Sequence, residues 1–362
     1  MIDQLDITIP VQHDPFGEER IKFSKRSLRP TLQPLSMEIQ LYPDGERIDV
    51  TSLNDAASIR IRGCPLKALQ GHNVFGSDDV RLLASSLICK VLDRLGITYT
   101  DEQRAAWMAG EFAIEAIAIT HRFQLPHGIT VKQLCQHMLR HARAMFDCTW
   151  RCCAAGMAVD LSNSGTAWLF GDKFHELKDA ENAKLQPPAI IANDGDNLLQ
   201  RLRDEAEGKV YAQLQFTKKY LAKCGLDRGS AWTLESAREG FLHELWSFWV
   251  EDSESVERPV VSADDIAGLH LRRTLVLWAH GEQLEKLLPP STLANHRSKI
   301  RNAIGVDIMR DVPTFESVSL EKIFSPRNMA QEFPGWATRY ESVAFGIRTT
   351  QQQSSSTNLK AS

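Results

Sequence analysis

The chain opens on an alternation of apolar and polar positions. Leu5, Ile7 and Ile9 are apolar while Asp6 and Thr8 are polar, and Met37-Glu38-Ile39-Gln40-Leu41 repeats the pattern before a Pro43-Asp44-Gly45 turn. Ile59-Arg60-Ile61-Arg62, ended by Gly63, predicts a third short strand. Beyond Gly76 the period changes. After the capping string Ser77-Asp78-Asp79, the residues Val80, Leu83, Ala84, Leu87, Val91 and Leu95 recur at helical spacing until Gly96. Alternation returns over Phe112–Thr120, helical spacing over Thr130–Met145, and strand character over Ala158–Phe170. Lys209–Phe216 is a further strand, with Val210, Ala212, Leu214 and Phe216 on one side. Strands and helices interleaved in this way predict an α+β domain over residues 1–258. From the acidic stretch Glu251–Glu257 and Pro259 onward the pattern is helical: Ala267–His280, Gln283–Leu288, then Ser291–Ile304 closed by Gly305. A smaller helical domain is expected over 259–350, and the Gln-, Ser- and Thr-rich residues 351–362 are expected to be a disordered tail.

Composition narrows what such a chain can do. Its 362 residues are 43% hydrophobic, enough for a core in each domain and too many for disorder as the main state. Apolar runs such as Phe112–Ile119 are broken by a charge, here Glu115, far short of the roughly 18 apolar residues a membrane span needs, so no membrane partner is expected. The first residues carry two acids, Asp3 and Asp6, where a secretory leader would be basic and then apolar. Seven cysteines, spread from Cys64 to Cys224, suit reduced thiols. Together these predict a cytoplasmic address. The net charge of −4 excludes nucleic-acid binding by bulk attraction, so any DNA contact must be local.

Two local basic clusters meet that condition. Arg20, Lys22, Lys25, Arg26 and Arg29 lie in a loop-like stretch that could follow a phosphate backbone or simply be solvated. Ser291, after Pro289-Pro290, can cap a helix carrying His296, Arg297, Lys299 and Arg301. With the shorter helix before it, this gives a helix-turn-helix outline that suits a major groove, or else a surface helix of a small bundle. Between Ser291 and Arg310 four basic residues face the single acid Asp307, a local charge of +3. His137 and His141 stand four apart on one helical face, with Cys148, Cys152 and Cys153 following. These are zinc-ligand types, but the spacing fits no closed framework, and a structural zinc is not expected.

One string does not follow from periodicity. Leu69-Gln70-Gly71-His72-Asn73-Val74-Phe75-Gly76 spends two glycines and a histidine between a strand and a capped helix. Extended from Cys64 to Asp79, it closely resembles the signature of the gene II/gene X type replication initiators of filamentous phages and related plasmids. The opening Met1-Ile2-Asp3, Lys173-Phe174-His175-Glu176-Leu177, Tyr220–Leu226, Leu288–Leu293 with His296-Arg297, Gly305–Ile308 and Pro334–Ala337 are similar to further family segments in the same order. The resemblance implies an antiparallel HUH-endonuclease-like core with flanking helices, followed by a helix-turn-helix-like domain. It implies initiation of rolling-circle replication at a phage or plasmid origin in a bacterial host, with the host replication helicase and polymerase as further partners. The implied chemistry is metal-dependent DNA nicking, with Mg or Mn as cofactor: a tyrosine attacks a phosphodiester and metal and cations draw charge from its oxygens.

The polar positions depart from that pattern. Where the family has Tyr-x-Lys-x-x-Glu-Leu, this chain has Gly171 at the tyrosine, followed by Lys173 and Glu176. Where the family strand carries Arg-Ile-Asp-x-Thr, Ala116-Ile117-Ala118-Ile119-Thr120 stands, and Tyr211-Ala212-Gln213 replaces Arg-x-Glu. Either nicking is lost and the chain is an inactive origin-binding regulator, or substitutes act. Tyr211 is the candidate nucleophile, or a packing residue. His72 is a candidate metal ligand, or holds its own loop. Lys173 and Glu176 are the surviving polar residues of the motif, Lys173 as a phosphate contact or a solvated lysine. Lys25, Arg26, Arg297, Lys299 and Arg301 are the candidate DNA contacts.

Overall fold

The computed structural model describes residues 1–337 apart from 24–29, 43–44, 146–148, 154–155, 162–164, 180–196, 252–254, 260–265, 280–281 and 312–314. The expected tail at 351–362 and most of the Pro43–Gly45 turn lie outside the described residues. Ten strands form one antiparallel sheet: β1 (Ile2–Pro10), β2 (Glu18–Phe23), β3 (Pro30–Gln40), β4 (Arg47–Leu53), β5 (Ser58–Gly63), β6 (Ala113–Gln124), β7 (Thr149–Cys153), β8 (Gly156–Leu161), β9 (Thr166–Gly171) and β10 (Lys209–Thr217). Their order is β2-β3-β4-β5-β1-β6-β10-β9-β8-β7. A separate ribbon pairs β11 (Ser255–Pro259) with β12 (Phe315–Ser319). The helices are α1 (Pro65–Gln70), α2 (Val80–Leu95), α3 (Asp101–Met108), α4 (Val131–Met145), α5 (Lys173–Asp179), α6 (Asn197–Ala206), α7 (Lys218–Cys224), α8 (Leu234–Leu245), α9 (Leu269–Ala279), α10 (Leu284–Leu287), α11 (Pro290–Ile304) and α12 (Leu320–Ile323). The chain is thus a mixed α and β protein built on an antiparallel sheet.

Local chemistry accounts for these elements. Asp79 caps α2, its carboxylate accepting the Leu82 N–H at 2.9 Å, and Gly96 closes the helix in the left-handed conformation. In β1 the alternation is broken once. Ile2 and Leu5, three apart, are both fully buried, because Asp3 forms a bulge between the pairs Ile2–Ile119 and Gln4–Ala118. The bulge pushes Asp3 out of the core phase, to the other face of the sheet's centre.

The structure differs from the periodicity in several places. Arg20 and Lys22, expected in a loop, belong to β2, and Lys25, Arg26 and Arg29 lie outside the described residues. The stretch 158–170 is two strands, β8 and β9. The helix expected at 283–288 is a single turn, and α11 begins at Pro290 with Pro289 at the cap, so Ser291 is no cap.

Apolar packing gathers into two clusters. The larger fills the face of the sheet carrying Ile117, Ile119, Phe123, Leu214 and Trp168. The smaller holds Leu275 and Trp278 of α9, Leu284 of α10, and Leu293 and Ile300 of α11, with Ile266 and Ile308 at its ends. Residues beyond β12 return to the larger cluster. Phe324 packs against Phe123 and Phe170 with ring centroids at 5.2 and 6.0 Å, and Phe333 packs against Phe75 at 5.7 Å. The small cluster therefore sits in an excursion between the two paired strands β11 and β12. No helix among the described residues is long and apolar enough to cross a membrane.

Phe324 is 1% exposed, so Phe324→Ala removes a buried aromatic from the main core and is expected to cost about 3–5 kcal/mol of unfolding free energy. Leu287→Ala in α10, where the side chain is 51% exposed, is expected to stay within about 0.5 kcal/mol. Urea unfolding of the full chain compares the two. Equal effects would mean that the segment after β12 is not part of the core.

Candidate nucleic-acid interface

The interface is built where the family-like string meets the middle of the sheet. Pro65 starts α1 at a position where its missing N–H costs nothing, and Gly71, at φ 82°, ends it. The chain then turns back on itself. The Gln70 amide holds that turn by donating to the carbonyls of Phe75 at 2.6 Å and His72 at 3.1 Å. His72 is buried, its ring edge-on to Phe75 at 4.6 Å, with Nδ1 facing the Val74 N–H and the Gln70 amide at 3.4 Å each. Burial, with the nearby Arg122 and Lys173 cations, pushes its pKa down to about 3. It is a neutral imidazole whose Nδ1 lone pair is already used by its own loop.

Four donors converge on the bulged Asp3. The Asn73 amide donates to Oδ1 at 2.6 Å and the Gln213 amide to Oδ2 at 2.5 Å, with the Cys64 thiol at 3.4 Å and the Thr120 hydroxyl at 3.5 Å completing the shell. These donors come from the loop, β10, the end of β5 and β6. Gln213, at a position where the resemblance implies an acid, turns its NH₂ group toward the carboxylate that an acid there would repel.

Around this shell three rows of cross-strand neighbours run over one face of the sheet. Ala118, Gln215, Ala167 and Asp160 form the first; Thr120, Gln213, Leu169 and Ala158 the second; Arg122, Tyr211, Gly171 and Gly156 the third. The β10, β9 and β8 members of the first two rows, with Thr149 and Arg151 of β7, line an open groove of about 560 Å³, while Ala118 and Thr120 of β6 are buried. The groove lining is alanine, amide, the acid Asp160 and the 39% exposed Leu169. In the third row Gly156 is fixed by close approach, since a Cβ there would sit 2.0 Å from the Phe170 carbonyl oxygen.

Tyr211 lies in register directly across from Gly171, so the phenol shares a row with the position at which the resemblance implies a nucleophile. The hydroxyl is buried and donates to the Val74 carbonyl at 2.9 Å, and burial pushes its ionisation up. Lys173 and Glu176, at the start of α5, pair with each other at 2.6 Å. Arg122 is buried, bonded to Glu205 at 2.7 Å and to the Gln331 and Glu332 carbonyls. His72, Lys173, Glu176 and Tyr211 are thus brought to one end of the groove around Arg122. Asp3, Asn73 and Arg122 were missed from sequence. Asp3 and Asn73 lay within the family-like segments, and the spacing of three between Ile2 and Leu5 was the signal of a break in the alternation of β1.

The C-terminal candidates sit apart from this site. Arg297 forms a two-bond fork with Asp307, both bonds 2.6 Å, which holds the carboxyl down at about 2, and Arg301 is 3.9 Å from the same group. Lys299 is exposed. Lys25 and Arg26 lie outside the described residues, as do Cys148 and the side chains of His141 and Cys152 from the His–Cys set.

The residues present do not fit Mg or Mn. Among the described residues no three His, Cys, Asp or Glu side chains come close enough to hold a metal ion. Asp3 is surrounded by hydrogen-bond donors where a cation would need further oxygens, and Nδ1 of His72 faces N–H groups.

His121, on the core side of β6, is like His72 in its acid behaviour: burial, then the Met1 ammonium, pushes it down to about 3, and Asp78 opposes this. Both folded values lie below the unfolded value of about 6.5. The unfolded chain therefore takes protons that the folded chain refuses, so stability is whole above about pH 6.5 and falls as pH drops toward 3. Each ring is expected to remove up to about 1.4 kcal/mol per pH unit over that window. Urea unfolding at pH 7, 6 and 5 should show the decline, with a shallower slope for His72→Asn. A flat profile would place both rings in solvent.

Comparisons with known proteins bear on the family of the chain. Residues 1–235 match the family model described as the N-terminal region of the replication-associated gene II protein. The chain is also 22% identical over 257 residues to the replication-associated gene II protein of Enterobacteria phage I2-2, covering 70% of each chain. The matched span contains the loop, the Asp3 shell and all three rows of the open face, and the chain belongs to the gene II protein family of phage replication-associated proteins.

Proposed function

We propose that the chain acts in phage or plasmid DNA replication by binding origin DNA, laying one strand along the open face over β10, β9 and β8. The observation that carries this reading is the open groove over β10, β9 and β8, which Gln213 lines, with the buried loop 72 to 76 tied to Gln213 through Asp3 and the buried positions 118 and 171 paired to β10 beside it. A groove of alanine, amide and leucine offers flat contact area to bases, with one cation, Arg151, and one acid, Asp160, in its lining. The helical excursion between β11 and β12 supplies a second DNA contact. The setting is the cytoplasm of a bacterial host, where the replication helicase and polymerase would act on the strand that the protein holds.

Two readings of the chemistry remain. Nicking would use Tyr211, placed across from Gly171, as nucleophile. Binding without cutting needs no nucleophile. The Tyr211 hydroxyl is already spent on the Val74 carbonyl and Gln213 is spent on Asp3. We therefore favour an origin-binding protein whose nicking activity is lost.

The test uses the supercoiled replicative form of the replicon that encodes the chain, together with its single-stranded origin region. The expected outcome is a salt-dependent electrophoretic shift of the single strand, weakened at least ~10-fold by Leu169→Glu in the groove, and no nicked circle with Mg²⁺ or Mn²⁺. A nicked circle carrying covalently bound protein, abolished by Tyr211→Phe, would establish cutting instead. Absence of any shift would remove the open face as a DNA track.

A further inference from the structure

The free face of α11 has a composition unlike that of an ordinary solvated helix. Its fifteen residues, Pro290–Ile304, contain no acid. Leu293 and Ile300 are buried and Ile304 is partly buried in the smaller cluster, which fixes the inward direction. At about 100° per residue, the side opposite carries Ser291, Asn295, Ser298 and Asn302 within roughly 40° of one line along the axis. All four are exposed. Lys299 flanks that line on one side and the 62% exposed Arg301 on the other, each about 80° away.

The helix is also held so that this face stays outward. The fork from Arg297 to Asp307 ties its flank to the turn after Gly305, where the Asp307 N–H donates to Asp311 and the Met309 N–H to Asp307. On the other flank the His296 ring bonds the Thr274 hydroxyl of α9 at 2.8 Å. Arg297 and His296 are the flanking residues that brace the helix, while Arg301 lies 3.9 Å from Asp307 and stays 62% exposed.

A row of neutral hydrogen-bonding side chains between two cationic margins matches one surface chemically. In the major groove of B-form DNA, base edges present donors and acceptors along the middle and phosphates run on both sides. Asparagine pairs bidentately with adenine, serine serves any base edge, and Lys299 and Arg301 meet the two backbones. A 15-residue helix, about 22 Å long, spans the roughly 12 Å width of that groove.

We propose that α11 is a base-reading helix for double-stranded origin DNA, with Asn295, Ser298 and Asn302 as its specificity residues and Lys299 and Arg301 as its phosphate contacts. The assignment rests on the origin-binding reading above, and it gives Arg297 a bracing role in place of the DNA contact expected from sequence.

The full chain is incubated with a randomised 30-bp duplex library, and the bound fraction is sequenced. The wild type is expected to enrich a motif containing fixed adenines. Asn295→Ala with Asn302→Ala, both at exposed helical positions that favour alanine, should lower the ratio of motif to scrambled duplex affinity by at least ~10-fold, leaving affinity for scrambled duplex unchanged. Lys299→Ala with Arg301→Ala should weaken both duplexes equally and reduce the salt dependence by about two charges. A motif that survives the double asparagine change overturns the proposal, as does a wild type that binds duplex without preference. Either result leaves single-strand binding by the sheet standing, whereas a wild type that binds neither duplex nor single strand removes the proposed function itself.

Discussion

A single carboxylate in the middle of the sheet organises the site. Asp3 can sit there only because a bulge turns it off the core face, and an ionised acid so placed must be surrounded by donors. The donors come from four separate places: Asn73 in the loop after α1, Thr120 on β6, Gln213 on β10 and Cys64 at the end of β5. Satisfying Asp3 therefore fixes how the loop crosses the sheet and how the side chains of β6 and β10 lie. Charge-assisted bonds such as those from the two amides are stronger than neutral ones, about 1.5–3 kcal/mol each in favourable settings. Loss of Asp3 would take from the Asn73 amide its bond across the sheet and leave Gln213 with the Thr120 hydroxyl alone.

Once the loop is fixed, aromatic packing completes the end of the groove. Phe75 lies against His72, Phe333 and Trp336, so the last described segment of the chain closes over the family-like string. Backbone bonds follow: the Gly76 N–H donates to the Glu332 carbonyl at 3.2 Å and the Ala330 N–H to the Arg122 carbonyl at 2.8 Å. Arg122 is buried yet paired with Glu205 and two carbonyls, which offsets the cost of taking its charge from water. The same closure buries Tyr211. A phenol that is sealed under Val74 stabilises the loop, and it is poorly placed to attack a phosphate.

Much of the frame was legible in the sequence, and for physical reasons. Helix α2 matches its expected limits because cap, periodic stripe and terminal glycine all coincide, and β10 matches because its alternation spans a two-faced central strand. The match of string to family placed His72, Lys173 and Glu176 in one neighbourhood, which periodicity alone could not do. Three things were hidden. A bulge leaves only a shift of one in the apolar spacing, so the Asp3 shell could not be assembled. The basic residues of α11 looked equivalent, because a partner ten residues on, Asp307, cannot be paired to Arg297 without knowing how the turn folds. The return of 315–337 to the main core was hidden as well, since an excursion closed by a two-stranded ribbon and a terminal domain have the same one-dimensional pattern.

The near-neutral charge of the chain takes on a specific meaning when set against these surfaces. The sheet groove is lined by alanine, glutamine and leucine with one acid, Asp160, and one cation, Arg151, and the outward line of α11 by serine and asparagine; both carry few cations. Surfaces of that kind release few counterions, so they gain little from the electrostatic attraction that drives indiscriminate binding to DNA. Whatever affinity they have must come from contact with bases: flat packing on the sheet, and matched hydrogen bonds on the helix. Unpaired base faces exist only where the duplex is opened, and a matched sequence exists only at particular sites. A protein of net charge −4 with two such surfaces is suited to a place on DNA where a specific duplex adjoins an exposed strand, and an origin being opened for replication is such a place.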